Sequence, residues 1–171
     1  MPHLPEPIRF RIYESPFGRL GLILDAHGRL LRIAFLEETP DLALERHYPS
    51  ERFCRTEAPG CASETARQLD EYFAGVRRVF DLDLAPVGTA FQRQVWAFLR
   101  QIPSGETRTY GEAAAHLGRP RAARAVGRAN ATNPWPIVVP CHRLVGSDGT
   151  LTGFAGGLAF KQALLDLERN R

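Results

Sequence analysis

The chain has 171 residues, 44% hydrophobic and 24% charged, a composition typical of globular proteins that excludes a disordered or fibrous chain. No run of 18 apolar residues predicts a transmembrane helix, and three cysteines are too few for a disulfide scaffold. Residues 1–84 hold 11 arginines and 14 acidic residues, a net charge of −3, whereas residues 85–171 hold 11 basic and 5 acidic residues, a net charge of +6. The second half therefore either binds a polyanion or simply has a basic surface.

Three segments near the N-terminus predict a meander of antiparallel strands. Residues 9–13 alternate between apolar and polar side chains, residues 20–24 form a short apolar run, and residues 30–35 form the third strand. Turn-forming residues separate them at positions 15–18 and 25–28.

The following segment carries mixed signals. Residues 41–47 predict a short helix and residues 50–61 a loop. A longer helix is expected to begin at Ser63, which has the character of a capping residue, and to end at Gly75. Residues 78–84 alternate again and predict a further strand.

The basic half predicts three helices. Residues 91–100 form an amphipathic helix that ends before residues 103–105, and residues 110–117 form a second helix. Pro120 suits the first turn of a third helix that runs to Ala129. The second and third helices, joined by a short turn, resemble a helix-turn-helix.

The third helix carries few large apolar side chains. From residue 107 to residue 131 there are five arginines and one glutamate, and three arginines project from a surface of alanine and glycine: Arg121, Arg124 and Arg128. A bare helix approaches a partner closely, although alanine also suits tight packing against neighbouring helices. Because three arginines on one short helix do not suit a core, we favour nucleic-acid binding.

Cys141 is the candidate nucleophile. It follows the apolar residues 137–139, which predict a buried strand or its stub, and Pro140. His142 and Arg143 follow it at once, and both favour a thiolate when they are close. Neighbours in an extended chain point to opposite sides, so a Cys–His pair needs a bridging water or a turn at Cys141. The alternative is a buried, inert cysteine.

The other two cysteines do not predict a metal site. Cys54 and Cys61 are separated by six residues in a polar loop, which is not a zinc-ligand spacing, and no nearby cysteine or histidine completes a set of four. We expect no metal and no cofactor.

Several motifs accompany Cys141 in chain order: Phe91-Gln-x-x-Val-Trp, Ile102-Pro-x-Gly-Glu-x-x-x-Tyr110, Ala123-Arg-Ala-Val-Gly127, Asn133-Pro-x-Pro136, Pro140-Cys-His-Arg143 and Gly153-Phe-x-Gly-Gly-x-x-x-Lys161-x-x-Leu-Leu165. In this combination the chain resembles the O6-alkylguanine-DNA alkyltransferases, or methylated-DNA–protein-cysteine methyltransferases, over roughly residues 88–169. The resemblance implies a ribonuclease H-like α/β N-terminal domain over residues 1–86, an antiparallel sheet with helices. It also implies a mainly α, winged-helix-like C-terminal domain over residues 87–171 that contains the helix-turn-helix, binds DNA and transfers the alkyl group.

The family resemblance implies DNA repair by one direct transfer of an alkyl group from O6 of guanine in duplex DNA to Cys141. The helix-turn-helix would bind the minor groove, and the damaged base would be flipped out of the stack. His142 would activate Cys141 through a water, Glu168 would orient His142, and Asn133 would brace the turn before the cysteine. Tyr110 would help to rotate the nucleotide and would hydrogen-bond the guanine.

The resemblance also assigns the surfaces around this centre. The DNA-binding set is Arg124 as a wedge that replaces the flipped base, with Tyr110, Arg121, Ala123, Ala125, Gly127 and Arg128. The substrate pocket is assigned to Pro136, Leu144, Phe154 and Ala155, with backbone contacts from the carbonyls of Cys141 and Leu144 and the N–H of Ala155. The partner is double-stranded DNA that contains O6-alkylguanine. We expect a cytoplasmic monomer without membrane contact, and leave open cooperative DNA binding and reaction with O4-alkylthymine.

Three residues depart from the family pattern. Phe154 stands where many members have tyrosine, and Ala155 where some have serine. Arg128 replaces a small residue, and we predict that it reaches a phosphate.

Three other functions compete with alkyl transfer. A damage sensor of the alkyltransferase-like class lacks the cysteine that this chain has. A transcription regulator needs a dimerisation element that the sequence does not suggest, and a thiol hydrolase needs a deacylating water and an oxyanion site that nothing in the sequence marks.

Overall fold

Four strands form the sheet of the N-terminal unit, in the order β3-β2-β1-β4: β1 (Glu6–Ser15), β2 (Gly18–Leu24), β3 (Leu30–Phe35) and β4 (Phe53–Glu57). The computed structural model describes residues 6–36, 48, 53–58 and 60–170. The strands β1, β2 and β3 pair antiparallel, which confirms the predicted meander. The last five residues of β2 are all buried, as is typical of a central strand covered on both faces.

One helix, α1 (Ser63–Phe73), completes the described part of this unit. Ala66, Leu69 and Tyr72 recur at a spacing of three and are buried on one face. The hydroxyl of Tyr13 on β1 donates to Oδ1 of Asp70 at 2.7 Å, which ties the helix to the sheet.

Three predictions for this unit are wrong in detail. The predicted loop over 50–61 contains β4, because β1 supplies a parallel partner that local sequence does not reveal. The predicted strand over 78–84 forms no ladder; Leu84 makes one isolated bridge, and the Gln68 side chain bonds both the N–H and the carbonyl of Asp81. Ser63 is no N-cap, because that position is Ala62 in a left-handed conformation. The helix predicted over 41–47 lies outside the described residues.

The second unit contains, in chain order, α2 (Ala90–Leu99), β5 (Arg108–Thr109), α3 (Tyr110–His116), α4 (Ala123–Ala131), β6 (Leu144–Val145) and α5 (Gly157–Arg169). The contacts divide the chain into Met1–Pro86 and Val87–Arg171. Thr89 and Thr109 close capping boxes that start α2 and α3. The pair α3–α4 forms the predicted helix-turn-helix, and β5 pairs parallel with β6.

Two boundaries in this unit differ from prediction. The third helix begins at Ala123, so Pro120 and Arg121 lie in the preceding turn rather than on the helix. The predicted strand over 137–139 is a turn in which Ile137 has a φ of 75°, an unusual conformation for a β-branched residue. In the part of the chain that the structure describes, no helix is long and apolar enough to cross a membrane.

Candidate active site

Cys141 begins a short 3₁₀ helix, Cys141–Arg143, that follows Pro140. The chain turns at Cys141: the N–H of Arg143 donates to the carbonyl of Pro140 at 3.1 Å. Cys141 is 5% exposed and His142 is completely buried. The turn therefore gives two consecutive side chains a common buried region, which an extended strand would have denied them.

Glu168, on α5, organises the residues that follow Cys141. Its Oε1 lies 2.8 Å from Nε2 of His142. Arg143 donates to both carboxylate oxygens, at 2.9 Å from Nε and 2.8 Å from a terminal nitrogen, and also to the carbonyl of Ile102 at 2.5 Å. The N–H of Gly105 adds a bond to Oε2 at 3.1 Å. One buried carboxylate thus holds both side chains in fixed positions.

These contacts fix the proton on His142. Burial opposes the ionisation of Glu168, but hydrogen bonds and charge from His142 and Arg143 hold the pKa of its carboxyl below the usual range. Burial lowers the pKa of His142 despite the hydrogen bond to Glu168, so the imidazole is neutral. An ionised carboxylate only accepts, so Nε2 carries the proton and Nδ1 keeps a lone pair. Nδ1 is buried and has no hydrogen-bond partner among the described residues.

The Cys141 thiol is buried, and the charge of Lys161 acts on it. Burial raises the pKa of the thiol to about 11, against a hydrogen bond from Asn133, the charge of Lys161 and nearby backbone N–H groups. Lys161 is also buried, and its Nζ donates to the carbonyls of Leu144 at 2.6 Å and Thr152 at 2.8 Å. Burial lowers the pKa of Lys161. The resting cysteine is a thiol whose deprotonation needs a base.

Two asparagines brace the backbone around Cys141. Asn133 donates from Nδ2 to the carbonyl of Val139 at 2.8 Å, and its Oδ1 accepts from the N–H of Trp135 at 3.0 Å. Asn130, on α4, donates from Nδ2 to the carbonyl of Cys141 at 3.3 Å. The nucleophile is thereby tied to the end of the helix-turn-helix.

A cavity of about 280 Å³ opens beside the thiol, lined by Asn130, Ala131, Asn133, Pro136, Cys141, Gly153, Phe154 and Ala155. Its size lies near the lower end of the range for small-molecule pockets, about 300 Å³. The predicted pocket residues Pro136, Phe154 and Ala155 are brought together here with Cys141. Leu144 lies outside the lining set: its side chain is fully buried, and its carbonyl accepts from Lys161.

A wider groove of about 510 Å³ adjoins this cavity, because Ala131 and Gly153 line both. The predicted DNA-binding residues Tyr110, Ala123, Arg124 and Gly127 line the groove. Tyr110 donates from its hydroxyl to the carbonyl of Thr152 at 3.3 Å, so it lies at the groove rather than beside the thiol. A Cβ on Gly127 would stand 3.9 Å from the Tyr110 ring, an ordinary contact distance, so Tyr110 does not by itself require a glycine there.

The other predicted DNA-binding residues lie outside the set that lines the groove. Arg128 and Ala125 are exposed on α4, and Arg121 is exposed in the turn before it.

Sequence reasoning gave Arg143 a role toward the thiolate, whereas the structure places its guanidinium on Glu168. It assigned no role to Lys161 or Asn130, although Lys161 belonged to a motif already identified, so its position gave a usable signal. Asn130 had no such signal, because only the fold brings the inner face of α4 to the Cys141 carbonyl. No group of three or more metal-ligating side chains occurs among the residues described.

Comparisons with known proteins cover both units. Residues 8–86 match the family model for the ribonuclease-like domain of 6-O-methylguanine DNA methyltransferase, and residues 90–170 match the model for its DNA-binding domain.

Among relatives, a methylated-DNA–protein-cysteine methyltransferase of Methanosarcina acetivorans is 48% identical, covering 93% of this chain and 97% of its own. The Mycobacterium tuberculosis O6-methylguanine methyltransferase structure superposes with a TM-score of 0.82 at 45% identity, over 96% of this chain and 94% of that one. A structure of Mycobacterium tuberculosis OGT in complex with DNA superposes with a TM-score of 0.81 at 45% identity, over 95% of this chain and 93% of that one.

Proposed function

The chain belongs to the 6-O-methylguanine DNA methyltransferase family, and we propose that Cys141 receives the alkyl group that it removes from guanine O6. The activity is DNA repair by direct transfer of an alkyl group from double-stranded DNA to a protein cysteine. The observation that carries the assignment is the buried Cys141 thiol at a cavity of about 280 Å³, next in sequence to a neutral histidine held by an ionised carboxylate.

The reaction is a displacement at the alkyl carbon. His142 takes the thiol proton on Nδ1 through a bridging water, and the sulfur attacks the carbon bonded to O6. The C–S bond forms as the C–O6 bond breaks, and the electron pair of the broken bond remains on guanine. Guanine then takes up a proton, which balances the one released by the thiol. The product is a stable thioether, so each molecule acts once.

Glu168 and Arg143 are positioning residues in this scheme. Glu168 accepts from Nε2 and stabilises the imidazolium that forms when His142 takes the proton. Arg143 compensates the buried carboxylate, which would otherwise carry an unpaired charge. Lys161 and Asn133 favour the thiolate, which offsets the burial that raises the pKa of the thiol.

Base flipping delivers the substrate to the cavity. Arg124 and Tyr110 line the groove that adjoins the cavity, so a duplex bound along α4 lies next to the entrance. Arg124 enters the stack in place of the flipped nucleotide, and Tyr110 turns the nucleotide and donates to the leaving guanine. The small side chains of Ala123 and Gly127 let α4 approach a narrow groove.

We further propose that DNA binding and alkyl transfer both reside in residues 87–171, and that a monomer in the cytoplasm carries them out. The proposed site residues all lie in this unit, which carries the +6 charge. The location follows from the substrate, because the relatives come from an archaeon and a bacterium, whose chromosomes lie in the cytoplasm.

The test is the mass of the protein and its peptides after reaction with excess duplex that contains one O6-methylguanine. We expect one methyl group on the Cys141 peptide, none on the Cys61 peptide, and no further gain with time. Binding of the duplex with no change in mass, or a methyl group on another peptide, would overturn the assignment of Cys141.

A further inference from the structure

Asn130 is a buried polar residue with only half of its hydrogen-bonding capacity used. It is 4% exposed and lies on α4, where Nδ2 donates to the Cys141 carbonyl. Its Oδ1 is buried and has no partner among the described residues. The amide cannot be reversed, because Oδ1 would then face the Cys141 carbonyl, a second acceptor.

An unsatisfied buried acceptor is costly. A leucine of the same shape would avoid the cost of removing Oδ1 from water. The residue lines the cavity beside Cys141, so a ligand there can supply the missing donor. A small turn about the soft χ2 torsion presents Oδ1 to that ligand.

Other acceptors near the cavity are already engaged. The Leu144 carbonyl accepts a short bond from the Lys161 ammonium, and Oδ1 of Asn133 accepts from the Trp135 N–H. The Cys141 carbonyl accepts from both Nδ2 of Asn130 and the N–H of Leu144, so both of its lone pairs are used. Among these acceptors, Oδ1 of Asn130 is the one that holds no hydrogen bond, so it is suited to an amino group in the cavity.

We propose that Oδ1 of Asn130 accepts a hydrogen bond from the 2-amino group of the flipped O6-alkylguanine. An O6-alkylguanine has no hydrogen on N1, and N9 is bonded to the sugar, so the 2-amino group is the donor that its ring system offers. Asn130 thereby reads the one feature that distinguishes O6-alkylguanine from O6-alkylhypoxanthine. This inference rests on the proposed alkyl transfer to Cys141.

The test is a cycle of two proteins and two substrates. Single-turnover methyl transfer is measured for wild type and Asn130→Leu on duplexes with O6-methylguanine or O6-methylhypoxanthine at one position. We expect the preference of wild type for O6-methylguanine to fall by about fivefold in Asn130→Leu, the worth of one ordinary hydrogen bond. A general loss of structure would slow both substrates equally and leave the ratio unchanged, and an unchanged ratio overturns the proposal.

Two further variants serve as controls. Asn130→Asp keeps an acceptor toward the cavity but sets a second oxygen against the Cys141 carbonyl, so it should slow transfer from both substrates and still retain the preference for O6-methylguanine. Phe154→Leu changes another cavity-lining residue without touching a polar atom and should leave the ratio at the wild-type value. Loss of the preference in Asn130→Asp would contradict an acceptor role. Absence of transfer by wild type from O6-methylguanine would instead refute the proposed function itself.

Discussion

The two units of the chain bury different kinds of side chain. Among the described residues of the N-terminal unit, the buried polar side chains are Thr65 and Gln68, and the rest of the buried set is apolar or aromatic. The C-terminal unit buries two asparagines and four ionisable residues: His142, Arg143, Lys161 and Glu168. Since burial of a charge is costly unless it is paired, the second unit must hold each of these groups with specific partners, which the largely apolar core of the first unit does not need.

The difference shows where function constrains the fold. The N-terminal residues Asp25 and Arg29 form a partly exposed ion pair within one turn, which local sequence suffices to build. Glu168 and Arg143 form a buried pair across 25 residues of chain, and the same carboxylate holds His142. If this contrast between the units is functional, matched substitutions in the two units should differ in their effects on transfer and stability.

The largest effect should come from removing the Cys141 thiol, with Cys61 as the control. Cys141→Ala removes the nucleophile, so methyl transfer should fall to background while binding to damaged duplex is retained. Cys61→Ala, in the N-terminal unit, should leave the transfer rate unchanged. The measurement is peptide mass after incubation with O6-methylguanine duplex, beside a binding titration. Residual transfer by Cys141→Ala would show that another residue accepts the group.

The next effect concerns the two ion pairs. Glu168→Gln keeps the volume but leaves Arg143 buried without a counter-charge, so unfolding free energy should fall by about 3–5 kcal/mol. Asp25→Asn should cost less than about 1 kcal/mol, because the Asp25–Arg29 pair is partly exposed. Both tryptophans, Trp96 and Trp135, lie in the C-terminal unit, so their fluorescence follows that unit alone in denaturant. Far-ultraviolet circular dichroism reports both units, so unfolding of the N-terminal unit appears there without a matching change in tryptophan fluorescence.

Acid should weaken the buried Glu168–Arg143 pair and so lower the free energy of unfolding of the C-terminal unit. The folded-state pKa of Glu168 is lowered, so its contribution is complete above the ordinary value of 4.5 and is lost as the pH falls through the folded-state value. Wild type should therefore lose C-terminal stability below about pH 4.5 more steeply than Glu168→Gln. Equal acid sensitivity would mean that Glu168 does not stabilise the unit through its charge.

The sequence predicts what is local or carried by a motif. The meander of β1, β2 and β3 follows from alternation and turn residues, and α2 from its amphipathic pattern. The capping threonines that start α2 and α3 are seen only in the structure. The strand β4 was missed because its partner is β1, some forty residues away. Conversely, 78–84 alternates like a strand, yet Gln68 on α1 bonds its backbone at Asp81 instead.

The candidate site shows the same limit. The motifs singled out Cys141 and His142, the family resemblance added Glu168, and the sequence left open whether a water or a turn brings Cys141 and His142 together. That turn depends on Pro140 and on side-chain bonds from Asn133 and Asn130, which come from a different element. Contacts between elements that are distant in the sequence are thus what the sequence patterns could not predict.

Arg124 separates flipping from chemistry. Arg124→Ala should slow methyl transfer from duplex at least tenfold while changing the reaction with a free O6-alkylguanine base less than twofold, because the free base needs no flipping. Arg78→Ala, an exposed arginine of the N-terminal unit, is the matched control and should change neither rate. Equal losses on duplex and free base would remove Arg124 from the wedge role.

Arg128 should have a smaller effect, on affinity alone. If it neutralises one phosphate, Arg128→Ala weakens duplex binding a few-fold and reduces the slope of log affinity against log salt by about 1. Arg78→Ala should leave the slope unchanged. The measurement is a binding titration at several salt concentrations with an undamaged duplex. An unchanged slope for Arg128→Ala would mean that this arginine stays in solvent when DNA binds.

The smallest effect expected is the response of Cys141 to pH. Burial lowers the pKa of His142 and raises that of the Cys141 thiol, so the neutral pair keeps one protonation state between pH 6.5 and 8.0. Transfer from a free O6-alkylguanine base should therefore change less than twofold over this range and fall only in more acidic buffer, where His142 accepts a proton from water. Among the described residues no base acts on Cys61, and burial raises the pKa of its thiol. Its alkylation by iodoacetamide, followed by peptide mass, should rise about thirtyfold over the same interval with its thiolate fraction. A parallel rise for Cys141 would mean that it titrates independently of His142, and the contrast between the two units would not extend to their cysteines.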